Sequence, residues 1–155
     1  MIFIDASSYL SSLLPKDPNL KKAVEIFVSI VESKEHLVTS YAILGEVLTI
    51  SSQRYDRQAG IKFVKDILDG STQVILEDDK LIRKAFKIFQ EVKDKDVSWV
   101  DCYSFAIIEH YKIEKVFSFD KDFKKYAKAE LLEQGTKIPL LNKLKYICDI
   151  SDSER

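Results

Sequence analysis

The chain alternates short apolar runs with longer segments whose apolar residues recur every three to four positions. Ile2-Phe3-Ile4 has the form of a buried strand, and Leu10, Leu13 and Leu14 predict a helix behind it. The break from Pro15 to Pro18 predicts a helix start at Asp17-Pro18, with a period through Leu20, Val24, Phe27, Ile30 and Val31. Leu37-Val38-Thr39 predicts a second strand, and Ser40 is placed to cap the helix after it. A further helix is expected from Asp56 to Leu68, stopping near Gly70. Gln73 to Leu76 forms a third strand pattern, followed by a helix through Leu81, Ile82, Ala85, Phe86 and Phe89. After Val97, the segment Ser98-Trp99-Val100-Asp101 has the form of a capping box. Lys115 to Phe119 predicts a fourth strand and Asp120 to Ala127 a short helix. Residues from Ile138 predict an edge strand before Leu141 to Ile150.

Strands separated by helices imply a parallel sheet with helices on both faces. No repeat, low-complexity tract or linker interrupts the pattern, so residues 1–150 are expected to form one domain and 151–155 a short polar tail. In such sheets ligands bind in the crevice at the carboxyl ends of the strands. Asp5 ends the first strand and Asp120 the fourth, while Glu46 and Asp101 lie in the first two turns of helices on the same side. Right-handed crossovers are expected to bring these four acids to one edge of the sheet.

Composition narrows the class. The 155 residues suffice for one domain with a sizeable core, and 46% hydrophobic residues with four Gly and three Pro describe a compact, helix-rich chain. No apolar run approaches the length of a membrane span, and Met1 to Asp5 opens a strand rather than a signal peptide, so a cytoplasmic protein is expected. Cys102 and Cys148 fit reduced thiols, and His36 and His110 have no His or Cys partner, which leaves zinc or a His-based triad little support. The net charge of -1 does not advertise a nucleic-acid partner. Locally, Lys121, Lys124, Lys125 and Lys128 share one helical face, ordinarily a solvated one, but close enough to Asp120 to attract phosphate.

Each acid has a plain structural role to set against a functional one. Asp5 and Asp120 can cap the helices after them, and Asp101 closes the capping box while also aligning with Phe105 and Ile108. Glu46 lies too deep in its helix to cap it. Seven of the ten residues from Tyr41 to Ile50 are apolar, which predicts a mostly buried helix, and no Lys or Arg in that helix is expected to pair with the glutamate. A glutamate there calls for a cationic partner, a metal or a solvent-filled cleft. Asp122 is close enough to assist, and Ser7 and Ser118 flank acids they can orient. Tyr41, Tyr103 and Tyr126 can stack on bases, although core positions are the commoner fate of such aromatics.

Four segments, in this order along the chain, carry a resemblance. They are Ile2-Phe3-Ile4-Asp5-Ala6-Ser7, Ile43-Leu44-Gly45-Glu46-Val47-Leu48, Ser98-Trp99-Val100-Asp101-Cys102-Tyr103-Ser104-Phe105-Ala106, and Ser118-Phe119-Asp120-Lys121-Asp122-Phe123. Together they resemble the PIN-domain family, and within it the VapC-type toxin ribonucleases. The resemblance implies a three-layer α/β/α sandwich around a mostly parallel sheet. It also implies a Mg²⁺- or Mn²⁺-binding cluster of Asp5, Glu46, Asp101 and Asp120, with Asp122, Ser118 and Ser7 accessory. It further implies endoribonucleolytic cleavage leaving a 5′-phosphate and a 3′-hydroxyl, a cognate antitoxin and a homodimer; apolar residues such as Tyr55 or Phe63 can form such contacts or belong to the core. Ser118 stands where Thr is usual, Cys102 where a small residue is common, and Phe119 where a polar one is. Two other classes compete. One is a PIN-fold module that binds RNA or protein without cutting. The other is a doubly wound phosphatase, which Asp5-Ala6-Ser7 disfavours because it lacks the Asp-x-Asp nucleophile pattern.

Overall fold

The computed structural model describes residues 1–133. The strand expected from Ile138, the helix from Leu141 to Ile150, and Cys148 lie outside the described residues. The chain begins with β1 (Ile2–Ile4), α1 (Ala6–Leu13), α2 (Leu20–Ser33) and β2 (Leu37–Ser40), then α3 (Tyr41–Arg54), α4 (Arg57–Asp69) and β3 (Gln73–Ile75). It continues with α5 (Asp79–Glu91), α6 (Trp99–His110), β4 (Lys115–Phe117), α7 (Lys121–Tyr126) and β5 (Glu130–Leu131). The five strands pair in parallel in the order β3-β2-β1-β4-β5.

The apolar run of β1 has no polar alternation because the strand is covered on both faces, with Ile2, Phe3 and Ile4 fully buried. Successive right-handed crossovers carry the chain outward from β1 to β3, which sets α1 to α4 on one face, with α1 packed on α2, α3 and α4. The third crossover reverses direction and returns to β4, so α5 and α6 pack together on the opposite face. On the first face the Tyr9 ring meets Phe27 and Phe63, and Phe27 meets Phe117 with centroids 5.0 Å apart. On the second, Phe105 packs edge-on against Phe123, also at 5.0 Å. The expected three-layer sandwich is therefore the fold. Its topological switch lies between β1 and β4, and the crevice beyond their carboxyl ends is where such sheets bind ligands.

Several local expectations need correction. α2 begins at Leu20 with Asn19 as its N-cap, because the Asp17 carboxylate turns the chain by accepting from the Asn19 amide. β3 and β4 stop at Ile75 and Phe117, short of Leu76 and Phe119. α3 is one-sided rather than mostly buried, since Tyr41 and Leu48 face outward, and it runs on to Arg54, an arginine two turns beyond Glu46. α7 ends at Tyr126, so Lys128 lies off the helix and the four-lysine face is not continuous. Tyr103 is core and Tyr126 packs against the core, whereas Tyr41 is exposed. Tyr55 is exposed, but Phe63 packs inward on Tyr9. Among the described residues, no helix is long and apolar enough to cross a membrane.

Candidate active site

Asp5 follows the last residue of β1 and caps α1. Its side chain is buried, and one oxygen, Oδ2, accepts from the Ser7 amide at 3.2 Å, the Ser7 hydroxyl at 2.6 Å and the Ser118 hydroxyl at 2.8 Å. Each serine oxygen in turn accepts a backbone amide of the β4–α7 loop: Ser7 from Phe119 at 2.9 Å, Ser118 from Asp120 at 3.0 Å. A hydroxyl has one proton to donate. With both protons committed to Asp5, the 3.1 Å approach of the two serine oxygens is contact rather than a further bond. The pair therefore ties the end of β1 to the end of β4, and leaves Asp5 Oδ1 outside the network. Burial raises the Asp5 carboxyl above its usual range, against the serine hydrogen bonds that lower it.

The other acids reach the crevice from three different elements. Ser40, the last residue of β2, caps α3 through the Ile43 amide at 3.2 Å, and this start sets Glu46 in the second turn. Ser98 and Asp101 form a reciprocal capping box at the start of α6, with Asp101 Oδ2 accepting from the Ser98 amide at 2.7 Å. Asp120 caps α7 by accepting from the Asp122 amide at 2.9 Å. Burial, then the negative fields of Asp5, Asp101 and Asp120, push the Glu46 carboxyl up to about 7. The four acids thus share one electrostatic neighbourhood. Asp101 is also raised, chiefly by burial, and Asp122, itself buried, is raised by burial and then by Asp120. Burial and Asp101 push the neighbouring Cys102 thiol up to about 11, so it stays protonated and inert.

This donor set suits a hard divalent cation. It offers only carboxylate oxygens, and among the described residues none of the four acids forms an ion pair with a lysine or arginine. The side chains are held apart, however. Among the described residues no three Asp, Glu, His or Cys groups stand close enough to enclose an ion, because Asp101 and Asp120 are turned onto backbone amides. The lysines expected near the site are largely neutralised: Lys124 faces Glu133 at 3.4 Å, Lys125 faces Asp94 at 3.6 Å, and Lys128 faces Glu109 at 3.7 Å. Lys121 forms no ion pair among the described residues. The full extent of the serine link is not legible in sequence, where a serine beside an acid ordinarily caps or faces solvent. The one hint is mirrored spacing, Asp5-Ala6-Ser7 against Ser118-Phe119-Asp120.

A parallel doubly wound sheet with four carboxylates in one electrostatic neighbourhood puts the candidate site near the switch point, where open α/β domains bind ligands. The sequence matches the PIN domain family over residues 2–129, and the chain belongs to that family. No curated protein matches it by sequence. Among solved structures it is similar to the Mycobacterium tuberculosis VapC20 toxin, described as cleaving the sarcin–ricin loop, with a TM-score of 0.73 and 24% identity over 81% of this chain and 94% of that one. It is also similar to FitAcB from Neisseria gonorrhoeae, with a TM-score of 0.62 and 13% identity over 86% of this chain and 97% of that one. VapBC2 from Rickettsia felis, solved on a DNA fragment from its promoter, gives 0.57 and 12% identity over 85% and 98%. At these identities the likeness speaks for the fold.

Proposed function

We propose that this protein is a divalent-metal-dependent endoribonuclease and the toxin of a toxin–antitoxin pair. The observation that carries the proposal is the raised Glu46 carboxyl, pushed to about 7 by burial and by three acids from separate elements, none of them ion-paired among the described residues. Mutual repulsion of this kind costs stability unless a cation relieves it. Membership of the PIN-domain family and similarity to toxins such as VapC20 support the same reading.

In this mechanism Asp5, Asp101 and Asp120 would hold the principal Mg²⁺ or Mn²⁺, and Glu46 would either bind it through water or help to position the attacking water. Such a cation supplies charge neutralisation at the phosphate and an activated water. Ser7 and Ser118 fix the Asp5 carboxylate by donating to its Oδ2. Cleavage leaves a 5′-phosphate and a 3′-hydroxyl. The FitAB and VapBC neighbours favour an antitoxin partner, and a homodimer is expected in the cytoplasm. Exposed Ile82, Phe86 and Phe89 on α5, with Trp99 edge-on to Phe89 at 6.2 Å, offer apolar surface for protein contact.

The test is cleavage of structured RNAs, with and without Mn²⁺ or Mg²⁺, by the wild type, Asp101→Asn and Glu46→Gln. Metal-dependent cutting by the wild type and a loss of at least about 100-fold in both variants is expected, the scale on which removal of one transition-state-stabilising group is felt. If the antitoxin-free wild type binds RNA but cuts none with either metal, the protein is a binding module. If the variants cut as well as the wild type, the site is elsewhere.

A further inference from the structure

The cations near the acids and those at the α3–α4 corner differ in their partners. On the α7 side Lys124, Lys125 and Lys128 each face an acid, and Lys121 alone of the four forms no ion pair among the described residues. At the corner Lys16, Arg54 and Arg57 form no ion pair among the described residues. Arg54 and Arg57 bracket the turn between α3 and α4, where Tyr55 is 52% exposed. Tyr55 and Arg54 line a cleft of about 510 Å³ with Leu14, Pro15, Lys16 and Pro18. Two acids share this corner, but both are turned onto backbone: Asp17 accepts from Asn19 at 2.8 Å and Asp56 from Ala59 at 2.6 Å.

The placement is hard to explain by helix stability. Arg54 in the last turn of α3 suits the helix dipole, but Arg57 is the first residue of α4, where the dipole is positive and a cation is unfavourable. Tyr55 is a large exposed aromatic beside two arginines that form no ion pair among the described residues, and among those residues its ring meets no other aromatic ring. The corner is also coupled to the crevice. α1 starts at Asp5 and ends beside this cleft, and α3 carries Glu46 in its second turn and Arg54 in its last. Eight residues of helix separate Glu46 from Arg54, about 12 Å at the α-helical rise.

We propose that the α3–α4 corner is a second hold on single-stranded RNA. Tyr55 stacks on an unpaired base in the cleft, while Lys16, Arg54 and Arg57 hold flanking phosphates. The reacting phosphate then lies at the acids, a few nucleotides away, and this last placement rests on the ribonuclease reading. An aromatic platform beside cations is the recurrent means of gripping unpaired strands, and a duplex hides the base faces it needs. An acidic protein segment would meet the same cations but would gain little from a base-stacking tyrosine.

Binding is measured by fluorescence anisotropy with a labelled single-stranded RNA of about 12 nucleotides, within the span of one single-strand-binding site. All proteins carry Asp101→Asn to prevent cutting. Tyr55→Ala should weaken binding about 10-fold, Tyr55→Trp should preserve it, and binding of a duplex of the same sequence should not respond to either. Arg54→Ala with Arg57→Ala should weaken single-strand binding and flatten the slope of log K against log salt by about 1.4, from two phosphate contacts. Equal single-strand affinity in all corner variants would overturn the proposal. So would corner variants that lose a glutamate-rich peptide but keep RNA, which would make the corner a protein-docking surface. A parallel assay with Asp101 restored follows Mn²⁺-dependent hydrolysis of bis(p-nitrophenyl) phosphate, too small to reach the corner. Corner variants should keep wild-type rates on it while their KM for RNA rises. A wild type inactive on both substrates would sink the ribonuclease reading alone, because the binding arm still decides the corner.

Discussion

Ser118 donates to Asp5 and accepts from the Asp120 amide, so one hydroxyl orients two acids of the proposed site. Removing it should cost about 1 kcal/mol of stability and, by releasing Asp5, 10- to 100-fold in metal-dependent cleavage. Ser118→Ala should therefore need more Mn²⁺ for half-maximal cleavage, while Ser118→Thr, which keeps the hydroxyl, should stay near wild type. An unchanged Mn²⁺ requirement in Ser118→Ala would mean the bond does not position Asp5. Glu46 makes the opposite trade. Its folded value of about 7 lies above the ordinary 4.5, so between those values the folded chain holds the proton more tightly than the unfolded one. Stability is therefore lost as pH rises through that window, and the loss is complete above it. In EDTA at pH 8, Glu46→Gln should unfold at higher urea, by about 1–2 kcal/mol after allowance for solvent screening, and should match the wild type near pH 4. Glu46 was legible in sequence because an acid deep in an apolar stretch has few ordinary uses. The full reach of Ser7 and Ser118 was not, because their bonds to Phe119 and Asp5 cross more than a hundred residues of chain.

The elements were legible where burial is unambiguous. β1 reads as a strand because all three residues are apolar and both faces are covered, and α6 because its capping box is written in four consecutive residues. β5 has only two residues at the sheet edge, too short to leave a periodic pattern, and the outward side of α3 is apolar enough to read as core. Packing between α3 and α4 depends on a residue whose importance composition hides. A Cβ on Gly60 would stand 2.1 Å from Ser51 Oγ and 3.0 Å from its Cβ, so the two helices approach where only glycine fits. In an open helix Gly→Ala gains up to about 1 kcal/mol. Here Gly60→Ala should instead destabilise by about 1–3 kcal/mol through overpacking. Adding Ser51→Ala, which removes the closer clash, should restore part of that loss. A urea midpoint for Gly60→Ala at or above wild type would show that α4 can shift freely, and with it the seat of Arg57 and Tyr55.

At the scale of the whole molecule, one reversal in strand order decides where chemistry can occur. Between β1 and β4 the crossovers diverge to opposite faces, and the acids that end or follow these strands inherit the opening. The net charge of -1 conceals local patterning: four acids share one electrostatic neighbourhood at the switch point, while Lys16, Arg54 and Arg57 at the α3–α4 corner form no ion pair among the described residues. Repulsion among Asp5, Glu46, Asp101 and Asp120 should make global stability respond to cations and protons in opposition. On the proposed reading both occupy the same carboxylates, so a divalent ion would bind better once the protons have left. At a Mn²⁺ concentration 100-fold above its Kd, linkage adds about 2.7 kcal/mol to folding, roughly 5–10 °C in Tm for a domain of this size. The rise should be largest at pH 8, where Glu46 is ionised, and much smaller at pH 5, where it holds its proton. Asp101→Asn should abolish most of it. Thermal melts at both pH values, with EDTA or Mn²⁺, read this directly. An equal rise at pH 5 and pH 8, or an undiminished one in Asp101→Asn, would mean that the ion binds somewhere other than the carboxylates at the switch point.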